Sequence, residues 1–170
     1  SGFKRFVLGS VTEKLLRTSD CPVLVVPPDA PDAAASRPVN YQRIVCAVDF
    51  SKATRPSLDI AASLAAEAGG RVTVAHVVEM PHEIPDTAMP DLRDQRAVRF
   101  QHARRQLKTL TAPLRQSCGI DDMLLAGTPA HEILRLADEQ QADLIVMGRQ
   151  GRGAVERMLH GSVTQHVTRR

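Results

Sequence analysis

The chain has 170 residues, which is long enough for one well-buried domain and short for two. Apolar residues make up 43% and aromatic residues only 3%, so the core must be built from Val, Leu, Ile and Ala. The net charge of +3 does not by itself indicate a polyanion partner, and three scattered cysteines without a CxxC pair argue against a disulfide framework or a zinc site.

The first segment predicts a helix and a strand that repeat the end of the chain. The run Cys21–Pro27 (CPVLVVP) is apolar, β-branched and bounded by prolines, as strands are. Before it, Leu8–Arg17 (LGSVTEKLLR) matches His160–Arg169 (HGSVTQHVTR), with Gly, Ser, Val, Thr and Arg identical in register. The predicted organisation is the last helix and strand of a preceding repeat in residues 1–27, a solvated linker in 28–40, and a second domain without its own last strand in 41–170.

From Tyr41 onward, short apolar runs alternate with helical patterns. The runs are unbroken, which is typical of strands covered on both faces of a parallel sheet. They are Arg43–Val48, Arg71–Val78, Asp122–Gly127 and Asp143–Gly148. Predicted helices separate them, at Thr54–Ala68, at Asp91–Ser117, after Thr128-Pro129 and from about Ala154 to the end. This order predicts an α/β fold with an open parallel sheet and helices on both faces.

Glycines follow the last of these strands at fixed intervals. In open parallel sheets, ligands bind beyond the carboxyl ends of the strands, where neighbouring connections diverge. If the first and fourth strands are neighbours, Asp49 and the loop from Gly148 share one crevice. Glycines let backbone amides approach an anionic group, and a fresh helix starting at Gly161-Ser162 would offer free amides and a hydroxyl to phosphate.

The spacing Gly148-x2-Gly151-x9-Gly161-Ser162 resembles the nucleotide-binding signature of the universal stress protein family. The first, second and fourth strands of that family resemble IVCAVDFS, VTVAHVVE and ADLIVMGRQGRG, respectively. The resemblance covers Tyr41 to the end and, for the last helix and strand, residues 1–27. It implies a Rossmann-like sheet, similar to that of adenine nucleotide alpha hydrolases, with five strands in the order 3-2-1-4-5, and a cytoplasmic, nucleotide-dependent regulator of the stress response.

The resemblance also implies a set of residues that bind ATP. Asp49 would hold ribose hydroxyls or a divalent ion, Mg or Mn, carried by the nucleotide. Ala47-Val48 stand where family members often have Pro or a small polar residue, and the contacts there are mainly with the backbone. The implied site consists of Ala47, Val48 and Asp49 after the first strand, Val77 at adenine, Met147, Gly148, Arg149 and Gly151 at the diphosphate, and Gly161, Ser162, Val163 and Thr164 at the distal phosphates.

Several alternatives stay open at this point. The glycines would also fit an ordinary loop, and Asp49 would also fit a cap of the following helix. No general base is evident over the γ-phosphate, so we expect no catalytic residue and at most a weak ATPase. The other functions are a nucleotide-free dimerisation module and a phosphate-site enzyme related to ATP-pyrophosphatases. Strand 21–27 would fill the edge of its own sheet, or pair with another molecule and give a homodimer.

Other partners are not expected. The basic segment Arg93–Lys108 is interpreted as a solvated helix face rather than a nucleic-acid surface, because few aromatics are available for base stacking. His76 is interpreted as a core imidazole, and His131 lacks the second His of a zinc motif. No apolar stretch has membrane-spanning length, and no signal-peptide pattern opens the sequence, so neither a membrane nor an exported location is predicted.

Overall fold

The structure, a computed structural model, describes residues 9–26, 40–79, 90–149 and 162–169. A 3-10 turn over Ala112–Leu114 ends the long third helix earlier than predicted, because Pro113 cannot continue an α-helix. The helices are α1 (Ser10–Thr18), α2 (Thr54–Ala68), α3 (Pro90–Thr111), α4 (Pro129–Glu139) and α5 (Ser162–Val167). The strands are β1 (Arg43–Ala47), β2 (Arg71–Glu79), β3 (Gly119–Gly127) and β4 (Leu144–Met147).

The four strands form one parallel sheet in the order β3-β2-β1-β4. β1 is central: Ala47 pairs with Ala75 of β2 on one side and with Met147 of β4 on the other. The predicted α/β class, the parallel sheet and the adjacency of the first and fourth strands are therefore confirmed. This adjacency places the exits of β1 and β4 beside each other at the carboxyl edge of the sheet.

Helices cover both faces of the sheet. On one face, Cys46 of β1 packs with Leu58 of α2 and Leu107 of α3. On the other face, Ala47 packs with Ile133 of α4 and Val167 of α5. Cys46 is completely buried, and burial raises the pKa of its thiol to about 12, so it serves as the small buried hydrophobe that the sequence predicts.

The predicted fifth strand is not formed. Residues 22–26 adopt no strand, and in the described part of the chain β4 pairs with β1 alone, so the sheet has four strands where five were expected. The side chains of Leu24 and Val26 are 60% and 61% exposed. An apolar β-branched run becomes a strand only when a neighbouring backbone accepts and donates its hydrogen bonds, and here no such neighbour is in place. Pairing of this run within its own sheet is thus not observed.

The helix before that run is attached to the end of the chain. Glu13 of α1 accepts hydrogen bonds from Gln165 and from Arg169, the latter at 2.7 Å. Val11 and Leu15 of α1 are 71% and 51% exposed. In the repeated segment these two residues correspond to Val163 and Val167, which pack onto the apolar cluster between α4 and the sheet. The first copy of the helix therefore leaves open the face that the second copy buries.

Candidate functional site

The site begins where β1 and β4 end side by side. Ala47 and Met147 are the last residues of these strands and face each other in the pairing register. Val48 and Asp49 follow β1, while Gly148 and Arg149 follow β4. The chain leaves β1 for α2 on one face of the sheet and β4 for α5 on the other, so the backbones separate here and leave the crevice that ligands use in open α/β sheets.

An apolar cluster forms the floor of this region. Four residues of the predicted ATP site belong to it, each from a different element: Ala47 of β1, Val77 of β2, Met147 of β4 and Val163 of α5. Ala130 and Ile133 of α4 and Val167 of α5 complete the buried part of the cluster. Ala47 and Val77 are buried, whereas Met147 and Val163 are half-buried and are reached by solvent. The cluster thus offers an apolar surface of the kind on which a flat ring packs.

One side-chain hydrogen bond joins α5 to the end of β4. Thr164 is buried, and its Oγ1 donates to the carbonyl oxygen of Gly148 at 3.0 Å. Two residues of the predicted site that are 16 positions apart in sequence are thereby fixed against each other. Gly151 and Gly161 lie outside the described residues, and for Ser162 the structure gives only its place at the start of α5.

Asp49 organises the turn after β1. Its Oδ1 accepts hydrogen bonds from the backbone N–H of Ser51 at 3.0 Å and from Oγ1 of Thr54 at 3.2 Å. The N-cap of α2 is Ala53, without a side-chain cap, so the alternative that Asp49 serves as the N-cap of this helix is not observed. The carboxylate instead closes a short turn ahead of the helix, which fixes its position at the exit of β1.

His76 of β2 contacts the backbone at the end of β1. Its Nδ1 lies 2.8 Å from the carbonyl oxygen of Val48, and its ring packs against Phe50 with the centroids 4.4 Å apart. The imidazole is half-buried, in agreement with the predicted core histidine. Phe50 has a φ of 59°, a left-handed conformation that bulky residues rarely adopt. Nothing in the sequence signals this conformation, because Phe50 sits in the turn without an adjacent glycine.

Arg149 makes a contact that the sequence does not predict. Its Nη1 donates to the carbonyl oxygen of Ser19 at 2.9 Å, across 130 positions of sequence. The guanidinium expected at the diphosphate therefore also holds the chain just after α1. The residue after Met147-Gly148 and the C-cap of α1 are thus in direct contact.

The side chains placed at this site determine how a metal ion could be coordinated. Over the ranges that the structure describes, no group of three or more His, Cys, Asp or Glu side chains is placed to hold a metal ion. A divalent ion at Asp49 would need most of its oxygen ligands from a bound nucleotide and from water, as Mg²⁺ sites at phosphates commonly do.

Over the same described ranges, no helix has the length and apolar character required to cross a membrane.

The parallel sheet and the helices on both of its faces define a doubly wound α/β protein, with the exits of β1 and β4 side by side at the carboxyl edge. The sequence profile described as "Universal stress protein family" matches residues 1–27 and 40–170. The chain belongs to the universal stress protein family. Both copies of the repeated helix fall within the matched residues.

Relatives in this family match about three quarters of the chain. The "Universal stress protein in QAH/OAS sulfhydrylase 3'region" of Thermus aquaticus is 33% identical over 128 residues, which is 75% of this chain and 90% of that protein. The universal stress protein UspA from Lactobacillus plantarum superposes with a TM-score of 0.69 at 23% identity, covering 76% of this chain and 92% of its own. A universal stress protein solved in complex with cAMP has a TM-score of 0.53 at 25% identity and covers 78% and 91% of the two chains.

Proposed function

We propose that this protein binds ATP at the exits of β1 and β4 and acts as a cytoplasmic, nucleotide-dependent regulator of the stress response with at most slow ATP turnover. The observation that carries the proposal is the pairing of Ala47 with Met147, which brings the two halves of the expected site to one edge of the sheet. The shared apolar cluster and the bond from Thr164 to Gly148 support it.

Each half of the crevice suits one part of ATP. The adenine ring would pack on Met147, where the apolar floor is half-open to solvent, and would receive backbone contacts from Val77. Asp49, held by Ser51 and Thr54, would accept hydrogen bonds from the ribose hydroxyls or bind Mg²⁺ or Mn²⁺ carried by the phosphates. In this proposal, the backbone amides of the glycine loop and of the first turn of α5 bind the phosphates. Those residues are Gly148, Arg149, Gly151, Gly161, Ser162, Val163 and Thr164.

A relative with cAMP supports an adenine nucleotide as the ligand class. That universal stress protein is 25% identical to this chain and was solved in complex with cAMP. cAMP and ATP share the adenosine group, which is the part expected over the apolar floor. They differ in the phosphates, and the three phosphates of ATP would use the glycine loop and the start of α5 more fully.

The test is to identify and then titrate the nucleotide. The purified protein is denatured, and the released small molecules are identified by mass spectrometry. The nucleotide-free protein is then titrated with ATP, ADP and cAMP by calorimetry. We expect ATP to bind most tightly. Absence of any bound nucleotide, together with no heat from all three ligands, would refute the proposal and favour the nucleotide-free module.

A pair of glycine variants locates the site. Gly161→Val places a branched side chain where phosphate is expected, and ATP binding should be lost while the circular dichroism spectrum stays unchanged. Gly9→Val is the matched control, because Gly9 is the equivalent glycine of the first repeat and an added Cβ there meets nothing within 4 Å. Unchanged ATP affinity in Gly161→Val would show that the nucleotide binds elsewhere. Measuring the release of both phosphate and pyrophosphate from bound ATP separates a regulator from an efficient enzyme of the ATP-pyrophosphatase kind, which splits ATP into AMP and pyrophosphate.

We propose further that residues 1–27 are the last helix and strand of another universal stress protein repeat. The sequence profile of the family matches them separately from residues 40–170. Val11 and Leu15 are exposed at the two positions through which α5 packs on its own domain. An exposed apolar face of this composition would pack on the surface that α4 and the sheet form in a second domain of the same family.

A second candidate function is therefore an interaction module, in which the exposed run at 22–26 pairs with the edge of another copy. Its exposed apolar residues favour this pairing, because an unpaired apolar strand exchanges readily between molecules. Light scattering should then show a dimer that persists after a protease site placed in residues 28–40 is cut. Val26→Lys should shift the protein to the monomer. A monomer before cleavage and before substitution would contradict strand exchange.

A further inference from the structure

A cleft between α2 and α3 lies on the face of the sheet opposite to the apolar floor of the nucleotide crevice. Its volume is about 520 Å³, which is within the range of small-molecule sites. The first turn of α2, the preceding turn at Phe50 and the second half of α3 form its walls. We call this space the α2–α3 cleft.

The cleft is positively charged. Arg55, His102 and Arg105 line it, and the lining residues that the structure describes include no acidic side chain. Arg55 is paired with Asp59 at 2.8 Å. By contrast, the side chains of His102 and Arg105 have no hydrogen bond or ion pair with any residue the structure describes. They are three positions apart on α3 and thus lie on one side of the helix, available to a single ligand.

Two hydrophobic residues also line the cleft. Phe50 belongs to the turn before α2, opposite α3, and Leu110 lies at the end of α3 itself. Phe50 keeps its left-handed φ of 59° while its ring packs on His76. For a bulky residue such a conformation is strained, and conformations of this kind are found mostly at functional sites. The strained residue therefore presents an aromatic surface across the cleft from the guanidinium of Arg105 and the imidazole of His102.

We propose that the α2–α3 cleft binds a small organic anion with a planar apolar part. In this site the anionic group, a phosphate, sulfonate or carboxylate, pairs with Arg105 and His102. The planar part packs on Phe50 and Leu110, and the hydroxyl of Thr109 and the amide of Gln106 supply further hydrogen bonds at the rim. The site is distinct from the nucleotide crevice, because Val77 and Met147 lie on the other face of the sheet.

The test uses the fluorescent aromatic sulfonate 8-anilinonaphthalene-1-sulfonate as the probe, in nucleotide-free protein. Arg105→Glu should weaken probe binding by about tenfold or more. Arg104→Glu is the matched control, since it makes the same change of charge on the neighbouring residue, which is exposed and does not line the cleft. Amide chemical shifts in the ¹⁵N spectrum should change with added probe at Ser51, Thr54 and Leu110. Arg105→Lys should restore part of the affinity.

Two outcomes would overturn the proposal. Equal weakening by Arg104→Glu and Arg105→Glu would show that the probe responds to overall charge rather than to the cleft. Equal affinity for the uncharged N-phenyl-1-naphthylamine would show that no anionic group is recognised. The Gly161→Val variant separates this site from the nucleotide site, because it should keep the probe affinity whether or not it binds ATP.

Discussion

Glu13 and Gln165 occupy equivalent positions of the repeated segment and contact each other, with Gln165 Nε2 donating to Glu13 Oε1 at 3.4 Å. The same carboxylate oxygen accepts from Arg169 at 2.7 Å. Contacts between equivalent positions are characteristic of two copies related by a two-fold axis. α1 and α5, whose sequences match, therefore meet at equivalent positions, and Glu13 of α1 contacts both α5 and the residue Arg169 beyond it.

Replacing Glu13 should loosen α1 without unfolding the domain. The pair of Glu13 with Arg169 is partly exposed, and such pairs contribute about 1 kcal/mol or less. In Glu13→Ala we expect the amides of α1 to exchange with deuterium up to about fivefold faster, with nearly unchanged exchange in β1. Lys14→Ala, an exposed neighbour without a side-chain partner among the described residues, is the control. Equal exchange in the two variants would contradict the role of Glu13.

The hydroxyl of Thr164 should matter for both folding and nucleotide binding. Thr164→Val keeps the shape but removes the donor to Gly148, which should lower the free energy of unfolding by about 1–3 kcal/mol. ATP affinity should also fall, because α5 and the end of β4 would no longer be fixed together. Thr164→Ser keeps the hydroxyl and should retain most of both. If the valine variant is destabilised but binds ATP as well as the original protein, the proposed site does not use this contact.

Gly69 and Gly70 should respond differently to alanine. Gly69 has a φ of 62°, and an added Cβ would meet nothing within 4 Å, so Gly69→Ala should cost about 1 kcal/mol from backbone conformation alone. At Gly70 an added Cβ would lie 2.6 Å from the backbone oxygen of Gln42. That oxygen accepts the hydrogen bond from Arg71 at the start of β2, so the clash disturbs the pairing of β1 with β2. Urea denaturation should therefore show a larger loss for Gly70→Ala, and the reverse order would show that the backbone adjusts freely.

The bounds of the helices and strands were predictable where the local sequence determines them. α2 has the predicted bounds, because the glycines after Ala68 end it with a left-handed residue. β3 begins at Gly119, three residues before the predicted start at Asp122, because β2 pairs with it along its whole length whatever the side chains are. The strand predicted at Cys21–Pro27 is not formed over residues 22–26 for the opposite reason, since its pattern is favourable but no strand among the described residues pairs with it.

The candidate site was predictable in position and not in its supporting contacts. The order of the strands follows from the α/β pattern, so the meeting of Ala47 with Met147 could be inferred. The contact of Arg149 with Ser19 could not, because it joins segments 130 positions apart that no local pattern relates. The same holds for the bond between His76 and Val48, which depends on the rotation of one side chain toward a neighbouring strand.

The three cysteines should differ sharply in reactivity. Cys21 is exposed, Cys118 is half-buried with a pKa raised by burial, and Cys46 is completely buried. Because the thiolate is the reactive form, a disulfide reagent should modify Cys21 first and Cys118 more slowly. Cys46 should react only when the protein unfolds, so addition of urea should release exactly one further thiol in Ellman's assay. Rapid labelling of Cys46 in native protein would show that the core between β1 and α2 opens readily.

Burial of Cys46 should also make the domain less stable at alkaline pH. Its pKa in the folded protein is about 12 against 9.0 for an ordinary thiol, so above pH 9.0 the unfolded chain loses a proton that the folded protein retains. The free energy of unfolding is therefore unaffected by this group below about pH 9 and decreases as the pH rises from 9.0 toward 12. Cys46→Ala should be somewhat less stable at neutral pH, because it leaves a small cavity, and should show a shallower alkaline decline. Urea titrations at about pH 8 and about pH 10 measure both effects, and identical declines in the two proteins would mean that other groups, such as lysines and the tyrosine, dominate the alkaline behaviour.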